Sequence, residues 1–390
     1  MNRNISVGLD IGTYSINTAV LEFLKKENTP KILALNSIPS SGLRKGRIAD
    51  VKSAAKAIQA SVKGAEKTAG LSLESAFVSI GGVNLYSCLS KGMVAISRPD
   101  GEITESDVKR VIAASETNLL KMANRRVIDT APVVYKVDNE IIGRNPLGMK
   151  GSRLEVETLF VITAAQDLNN LIKSVELAGL KIDDVIPAPV AAAKVLLDRR
   201  QKEVGVLLFD VGAGTTGTAI FEEGMPVAVN MLPFGSESIT NDIALILQIS
   251  LDEAERLKHL FGTGEQELDR QTTKKLSDVI EARLNDVFEL VGVSLRKINR
   301  EKLLPGGVVL TGGGSNLANI VEFTKSNLKM PAEIGICLGL ETKEKRFFDC
   351  KWSTALGLAM LGLDETPDLE FNLAKKAKNF LARWFNTFVP

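Results

Sequence analysis

Apolar and polar positions along this chain form a motif that occurs twice. Residues 7–22 read VGLDIGTYSINTAVLE and residues 207–222 read LLFDVGAGTTGTAIFE. Each is an apolar run, an Asp-x-Gly break, a few hydroxyls and glycines, and a second apolar run. Two short apolar runs around a small polar break predict a β-hairpin. A shift of 200 positions aligns the copies without a gap, matching Asp10 with Asp210, Gly12 with Gly212, Thr18 with Thr218 and Glu22 with Glu222. Copies so far apart predict two related domains, since a solenoid repeats at much shorter intervals. A further apolar run, GGVVLTGGGSN at 306–316, ends in three glycines, Ser315 and Asn316. It predicts a strand, a loop and a helix start.

The end of the chain follows a different period. Plotted at 100° per residue, FNLAKKAKNFLARWFNTF (371–388) places Phe380, Leu381, Trp384, Phe385 and Phe388 on one face about 140° wide. Lys375, Lys376 and Arg383 fall opposite, and no acidic residue occurs from 371 to 390. An aromatic face backed by a cationic one is the pattern of a helix lying in a membrane interface, where each cation near an anionic leaflet adds about 1 kcal/mol. The alternative is a terminal helix packed on the core through the same aromatics. The one-sided charge and the preceding breaker-rich GLDETPDLE (362–370) favour the membrane. A nine-residue linker spans at most ~30 Å, which would hold the body close to the bilayer.

Composition sets the remaining bounds. A chain of 390 residues, 45% apolar and 24% charged, reads as a folded protein of two or more domains. A net charge of +1 gives no bias toward nucleic acid. Cys88, Cys337 and Cys350 show no CxxC spacing and read as reduced cytosolic thiols. The N-terminus shows no signal-peptide pattern, and no apolar run approaches the ~20 residues of a spanning helix.

The chemistry of the repeated turn is legible. Glycines let backbone N–H groups converge on an anion, and Thr13, Thr215 and Thr216 can donate hydroxyls to phosphate oxygens. Asp10 and Asp210 would repel phosphate directly, so they suit a hydrated Mg²⁺ between carboxylate and phosphate. Two such hairpins face to face would grip a triphosphate. One such turn alone reads as an ordinary tight turn; its duplication in register favours the ligand. The GGG loop is neither a Walker A loop nor a dinucleotide fingerprint. The lone histidine, His259, excludes a histidine metal cluster and is expected at a surface or a helix end.

The ordered set DIGTYS (10–15), PAPVAAA (187–193), DVGAGTT (210–216) and LTGGGSN (310–316) resembles the actin, sugar-kinase and DnaK-type chaperone superfamily. The resemblance implies an α/β, actin-like two-lobed ATPase fold with ATP and Mg²⁺ between the lobes. It assigns cofactor binding to Asp10, Gly12, Thr13, Tyr14, Asp210, Gly212, Gly214, Thr215, Thr216, Gly312, Gly313, Gly314 and Ser315. It places Glu281 in or beside the second connecting helix and counts it among the cofactor-binding residues. MVAISRPDGEITESDVKR (93–110), with a helix opened by Thr104 or Ser106, and PLGMKGSRLE (146–155) are similar to the inserted subdomain of the FtsA family. A PilM-like pilus-assembly scaffold and a sugar-type kinase are the alternatives.

Membership in the FtsA family would imply a peripheral division protein on the cytoplasmic face of the cell membrane. It would form head-to-tail filaments and bind the C-terminal tail of FtsZ. The expected division is 1–82 (first lobe), 83–163 (insert), 164–200 (first lobe again), 201–242 (second lobe), 243–302 (its small subdomain), 303–362 (second lobe again), 363–370 (linker) and 371–390 (amphipathic helix). Arg296 and Arg300, four apart in SLRKINREK, are the expected FtsZ contact on one helix face. One departure stands out: Gly217 occupies the position where many superfamily members carry an acidic residue. With no clear general base in these loops, the expectation is firm ATP binding with slow or negligible hydrolysis.

Overall fold

The computed structural model describes residues 4–24, 29–119, 124–263, 269–340 and 349–363. The chain opens with β1 (Asn4–Ile11), β2 (Ser15–Phe23), β3 (Lys31–Pro39), a small hairpin β4 (Leu43–Arg44) and β5 (Arg47–Ile48), α1 (Val51–Ala69) and β6 (Ser75–Ile80). An inserted segment follows, made of β7 (Tyr86–Ala95), α2 (Glu105–Thr117), β8 (Arg125–Val137), β9 (Glu140–Gly143) and β10 (Arg153–Ala164). The chain returns through α3 (Ala165–Leu177), β11 (Lys181–Pro187), α4 (Ala188–Leu196) and α5 (Arg199–Val204). The second half runs β12 (Val206–Val211), β13 (Thr216–Glu222), β14 (Met225–Leu232), α6 (Ser236–Leu247), α7 (Leu251–Thr263), α8 (Arg270–Lys297), β15 (Val308–Thr311), α9 (Ile320–Leu328), β16 (Ala332–Ile334) and α10 (Ser353–Leu363).

Both repeated motifs are hairpins in the same register. Asp10 faces Asn17 and Ile11 faces Ile16; Asp210 faces Gly217 and Val211 faces Thr216. The likeness extends to whole sheets. The first has the order β11-β6-β1-β2-β3, and the second begins β16-β15-β12-β13-β14. In each, three antiparallel strands are followed by two added in parallel on the far side of the first. The second sheet then continues through β7-β10-β8-β9 of the insert, joined by the single pair Asn230–Tyr86.

Local signals explain the element ends. Asp50 caps α1 by accepting from the backbone N–H groups of Lys52 and Ser53, and Gly70 ends it in the left-handed region. Of the two residues expected to open α2, Thr104 is the cap, in a reciprocal box with Asp107. One core joins the first sheet, α4, α10 and one face of the second sheet, a second covers the other face of the second sheet with α6, α8 and α9, and the insert has a smaller one around Val111, Tyr135 and Leu154. Among the described residues no helix is long and apolar enough to cross a membrane.

The first core shows where the second connecting helix lies. In the repeat, α4 follows β11 and α10 follows β16, so α10 is the counterpart of α4. The two cross where Gly357 meets the Ala191 backbone, so closely that a Cβ on Gly357 would run into the Ala191 carbonyl. Gly8 of β1 sits equally tightly under Ala355 and Ala359. The assignment of Glu281 to this helix or its flank is therefore corrected: Glu281 lies on α8, where it accepts from the Ser277 hydroxyl at 2.9 Å. α10 is apolar on every side, so it carries no amphipathic stripe by which periodicity could reveal it.

Candidate functional site

A cleft of about 710 Å³ lies between the two hairpins. Its floor is built by symmetric turns. The Gly12 N–H donates to the Ser15 carbonyl at 3.1 Å, and the Gly212 N–H donates to the Thr215 carbonyl at 3.0 Å. Asp10, Gly12, Thr13, Tyr14, Asp210, Gly212, Thr215, Gly312, Gly313 and Gly314 all line it, with Tyr14 exposed at the rim. Gly312 has φ +82°, and a Cβ there would strike the Asp210 carboxylate and the Val211 backbone, so the glycine loop must lack side chains to pass this strand end.

Other expected residues do not face the cleft. Thr216 is fully buried and donates its hydroxyl to the Phe234 carbonyl at 2.8 Å. The Ser315 hydroxyl closes its own loop by donating to the Gly312 carbonyl at 2.7 Å. Gly214 is a spacer: a Cβ there would lie 2.9 Å from the Thr13 hydroxyl oxygen and 3.1 Å from Lys45 Cα. Glu281 is absent from the lining.

Electrostatics single out the two aspartates. Asp10 accepts from the Ser79 hydroxyl at 2.8 Å and the Asn17 amide at 3.3 Å, yet burial outweighs both bonds and raises its pKa to about 6. Asp210 makes no side-chain hydrogen bond among the described residues. Burial, and then the charge of Asp10, raise its pKa to about 7. Two desolvated carboxylates share one cleft, and no described cation offsets the rise in either, a charge that a divalent cation would supply. No group of three or more metal-binding side chains exists among the described residues. The donor set therefore suits a hydrated, oxygen-seeking cation such as Mg²⁺ rather than a fully protein-bound one.

The opposite wall was not foreseen. Lys258 is buried and donates to Thr240 Oγ1 at 2.8 Å, Glu255 Oε2 at 2.7 Å and the Ser236 carbonyl at 3.2 Å. Burial raises the Glu255 pKa, but the stronger combined pull of Lys258, Thr240 and His259 leaves it below its ordinary value. His259, expected at a surface or helix end, sits on the rim with Nε2 3.2 Å from Glu255 Oε1. The Glu-x-x-Lys spacing in AERLKH was the available signal, but such pairs usually mark a solvated helix face.

Arg296 and Arg300 do not share a helix face. α8 ends at Lys297 and Asn299 has φ +56°, so Arg300 lies past the helix and is bonded to Glu222, while Arg296 pairs with Glu301 at 3.1 Å. The tail residues Lys375, Lys376, Phe380, Leu381, Arg383, Trp384, Phe385 and Phe388 lie outside the described residues.

Comparison with known proteins settles the family. Residues 207–357 match the family described as cell division protein FtsA, and residues 82–162 match the SHS2 domain inserted in FtsA. The cell division protein FtsA of Pseudomonas aeruginosa is 35% identical over 382 residues, 93% of this chain and 90% of that protein. The chain belongs to the FtsA family. Solved structures share the fold. A PilM–PilN type IV pilus biogenesis complex aligns with a TM-score of 0.69 at 19% identity, over 92% of this chain and 98% of that one. MreB5 of Spiroplasma citri bound to ADP aligns with a TM-score of 0.52 at 14% identity, over 92% and 96% of the chains. These show the actin-like ATPase fold alone. The α/β actin-like fold with its FtsA-type insert and the family expected from the sequence both hold, and the FtsA match takes precedence over the PilM alternative.

Proposed function

We propose that this FtsA-family chain binds ATP in the cleft, assembles head to tail on the cytoplasmic face of the cell membrane at the division site, and tethers the FtsZ polymer there. The observation that carries the nucleotide reading is the pair of identical turns with Asp10 and Asp210 across one cleft. The turn N–H groups, Thr13 and Thr215 would hold phosphates, and Asp10 and Asp210 would hold a hydrated Mg²⁺, whose chemistry is to neutralise phosphate charge. Gly312–Gly314 let the nucleoside lie on bare backbone opposite Glu255 and Lys258. The ADP in the MreB5 structure supports a nucleotide in this fold.

Hydrolysis is slow in this reading. Gly217, opposite Asp210 in the hairpin, is packed against Pro189 and Met231 and offers no group to orient water. Turnover at about 1–100 s⁻¹, an ordinary kinase rate, would contradict it. The segment 371–390 anchors each subunit weakly, and an open filament sums those anchors into avidity. Residues 243–302 take the FtsZ tail; Arg296, half exposed, would exchange Glu301 for that contact, whereas Arg300 is bonded to the less exposed Glu222.

The test is co-sedimentation with anionic liposomes, with and without ATP–Mg²⁺, comparing the full chain with a truncation after Thr366. ATP-strengthened pelleting of the full chain alone supports the reading. If both chains stay in the supernatant with ATP present, the membrane role fails.

A further inference from the structure

We propose that Arg47 couples the phosphate end of the cleft to the inserted subdomain, so that nucleotide binding and the orientation of the insert influence each other. This inference rests on the nucleotide reading above. The β4–β5 hairpin turns at Lys45 and Gly46, both with positive φ, as its two-residue turn requires. The Gly46 N–H donates to Thr13 Oγ1 at 2.8 Å, leaving the Thr13 proton to donate into the cleft. The same tip closes on the second phosphate turn, since a Cβ on Gly46 would lie 3.4 Å from Thr215 Oγ1, and Lys45 touches Gly214. The hairpin tip therefore contacts both turns that would hold the phosphates.

The next residue leads to the insert. Arg47 Nε donates to Asp167 Oδ1 at 2.8 Å, and the Asn84 amide donates to Asp167 Oδ2 at 2.7 Å. Asn84 stands where the chain enters the insert, and Asp167 on α3 stands just after it leaves. Asp167 is buried, its side chain 6% exposed, and it accepts from two different side chains, which fixes the carboxylate although Arg47 itself is partly exposed. Asn170 of α3 also donates to the Ile48 carbonyl at 3.0 Å, and Arg125 of β8 donates to the Asn84 carbonyl at 3.3 Å. Gly82, at the entry to the insert, packs against Gly46 closely enough that a Cβ on Gly46 would lie 2.7 Å from Gly82 Cα. A shift of the Thr13 hydroxyl toward a phosphate thus moves a hairpin bolted to both roots of the insert. The insert in turn bonds to the second lobe through Arg144 and the Glu222–Glu223 turn. Arg47 is a positioning residue: it touches no substrate and acts through Gly46 and Thr13.

The test measures ATP–Mg²⁺ affinity and hydrogen exchange on the full chain, in the wild type, Arg47→Ala, Arg47→Lys and Asn84→Ala. In the wild type, ATP slows exchange at residues 12–15 and also at 82–87 and 164–168. Arg47→Ala keeps the first protection, loses the second and binds ATP about fivefold or more weakly, the usual scale of coupling between sites. Arg47→Lys, which keeps the charge on a single donor atom, recovers part of both. ATP-dependent protection of the insert roots that is unchanged in Arg47→Ala overturns the coupling and leaves the nucleotide reading intact. Equal loss of protection with and without ATP marks a merely structural role and also overturns it. A wild type that does not bind ATP overturns both.

Discussion

Replacing Asp210 with asparagine should stabilise the nucleotide-free protein at pH 8 while abolishing its response to Mg²⁺. The folded chain holds the Asp210 proton to about pH 7 and the Asp10 proton to about pH 6, against 3.8 for an ordinary aspartate. A raised folded pKa contributes stability that is fully present below pH 4 and lost as the pH rises through 6 and 7. For Asp210 the interval corresponds to about 4 kcal/mol at 1.36 kcal/mol per tenfold change in proton affinity. Part of that rise comes from the neighbouring Asp10 charge, and water in the open cleft screens both groups. About 2 kcal/mol is therefore the expected gain for Asp210→Asn at pH 8. The assay is the urea midpoint of wild type and variant at pH 5 and pH 8, with and without Mg²⁺. The wild type should lose stability between the two pH values and recover some with Mg²⁺. The variant should be flatter with pH and indifferent to the cation. A variant less stable than wild type at pH 8 without Mg²⁺ would refute the reasoning.

Two further substitutions probe the frame and the far wall. Gly357→Ala should force α10 away from the Ala191 carbonyl and cost about 1–3 kcal/mol, the range for overpacking a filled core, read as a lowered thermal midpoint; an unchanged midpoint would show that the crossing is loose. Lys258→Met keeps the length of the side chain but leaves Glu255 and Thr240 without their shared cation, and should weaken ATP binding about tenfold, equivalent to 1.4 kcal/mol. Calorimetric titration with ATP–Mg²⁺ reads this directly, and wild-type affinity in the variant would remove Lys258 from the nucleotide site.

Legibility followed the range of each signal. The two hairpins were readable because apolar alternation and an Asp-x-Gly break are written into sixteen consecutive residues, twice. A helix start at Thr104 or Ser106 was readable for the same reason, and the capping box with Asp107 decides for Thr104. Glu281 was misplaced because α10, the true partner of α4, is apolar all round and no periodicity marks it. Arg300 was misplaced because helical spacing was extended past a chain that turns at Asn299. Thr216 and Ser315 were misjudged because a hydroxyl beside a glycine loop looks alike whether it faces a ligand or a carbonyl.

The duplication, the two aspartates, the glycine turns and the family resemblance all reside in local order along the chain and were legible there. Which of these side chains share a cleft, how the second sheet runs on into the insert, and how Arg47 reaches Asp167, which Asn84 also bonds, depend on long-range packing. Those pairings join residues far apart in sequence. They exist because packing brings separate elements together, and no local pattern of residue types records where a neighbouring element will arrive.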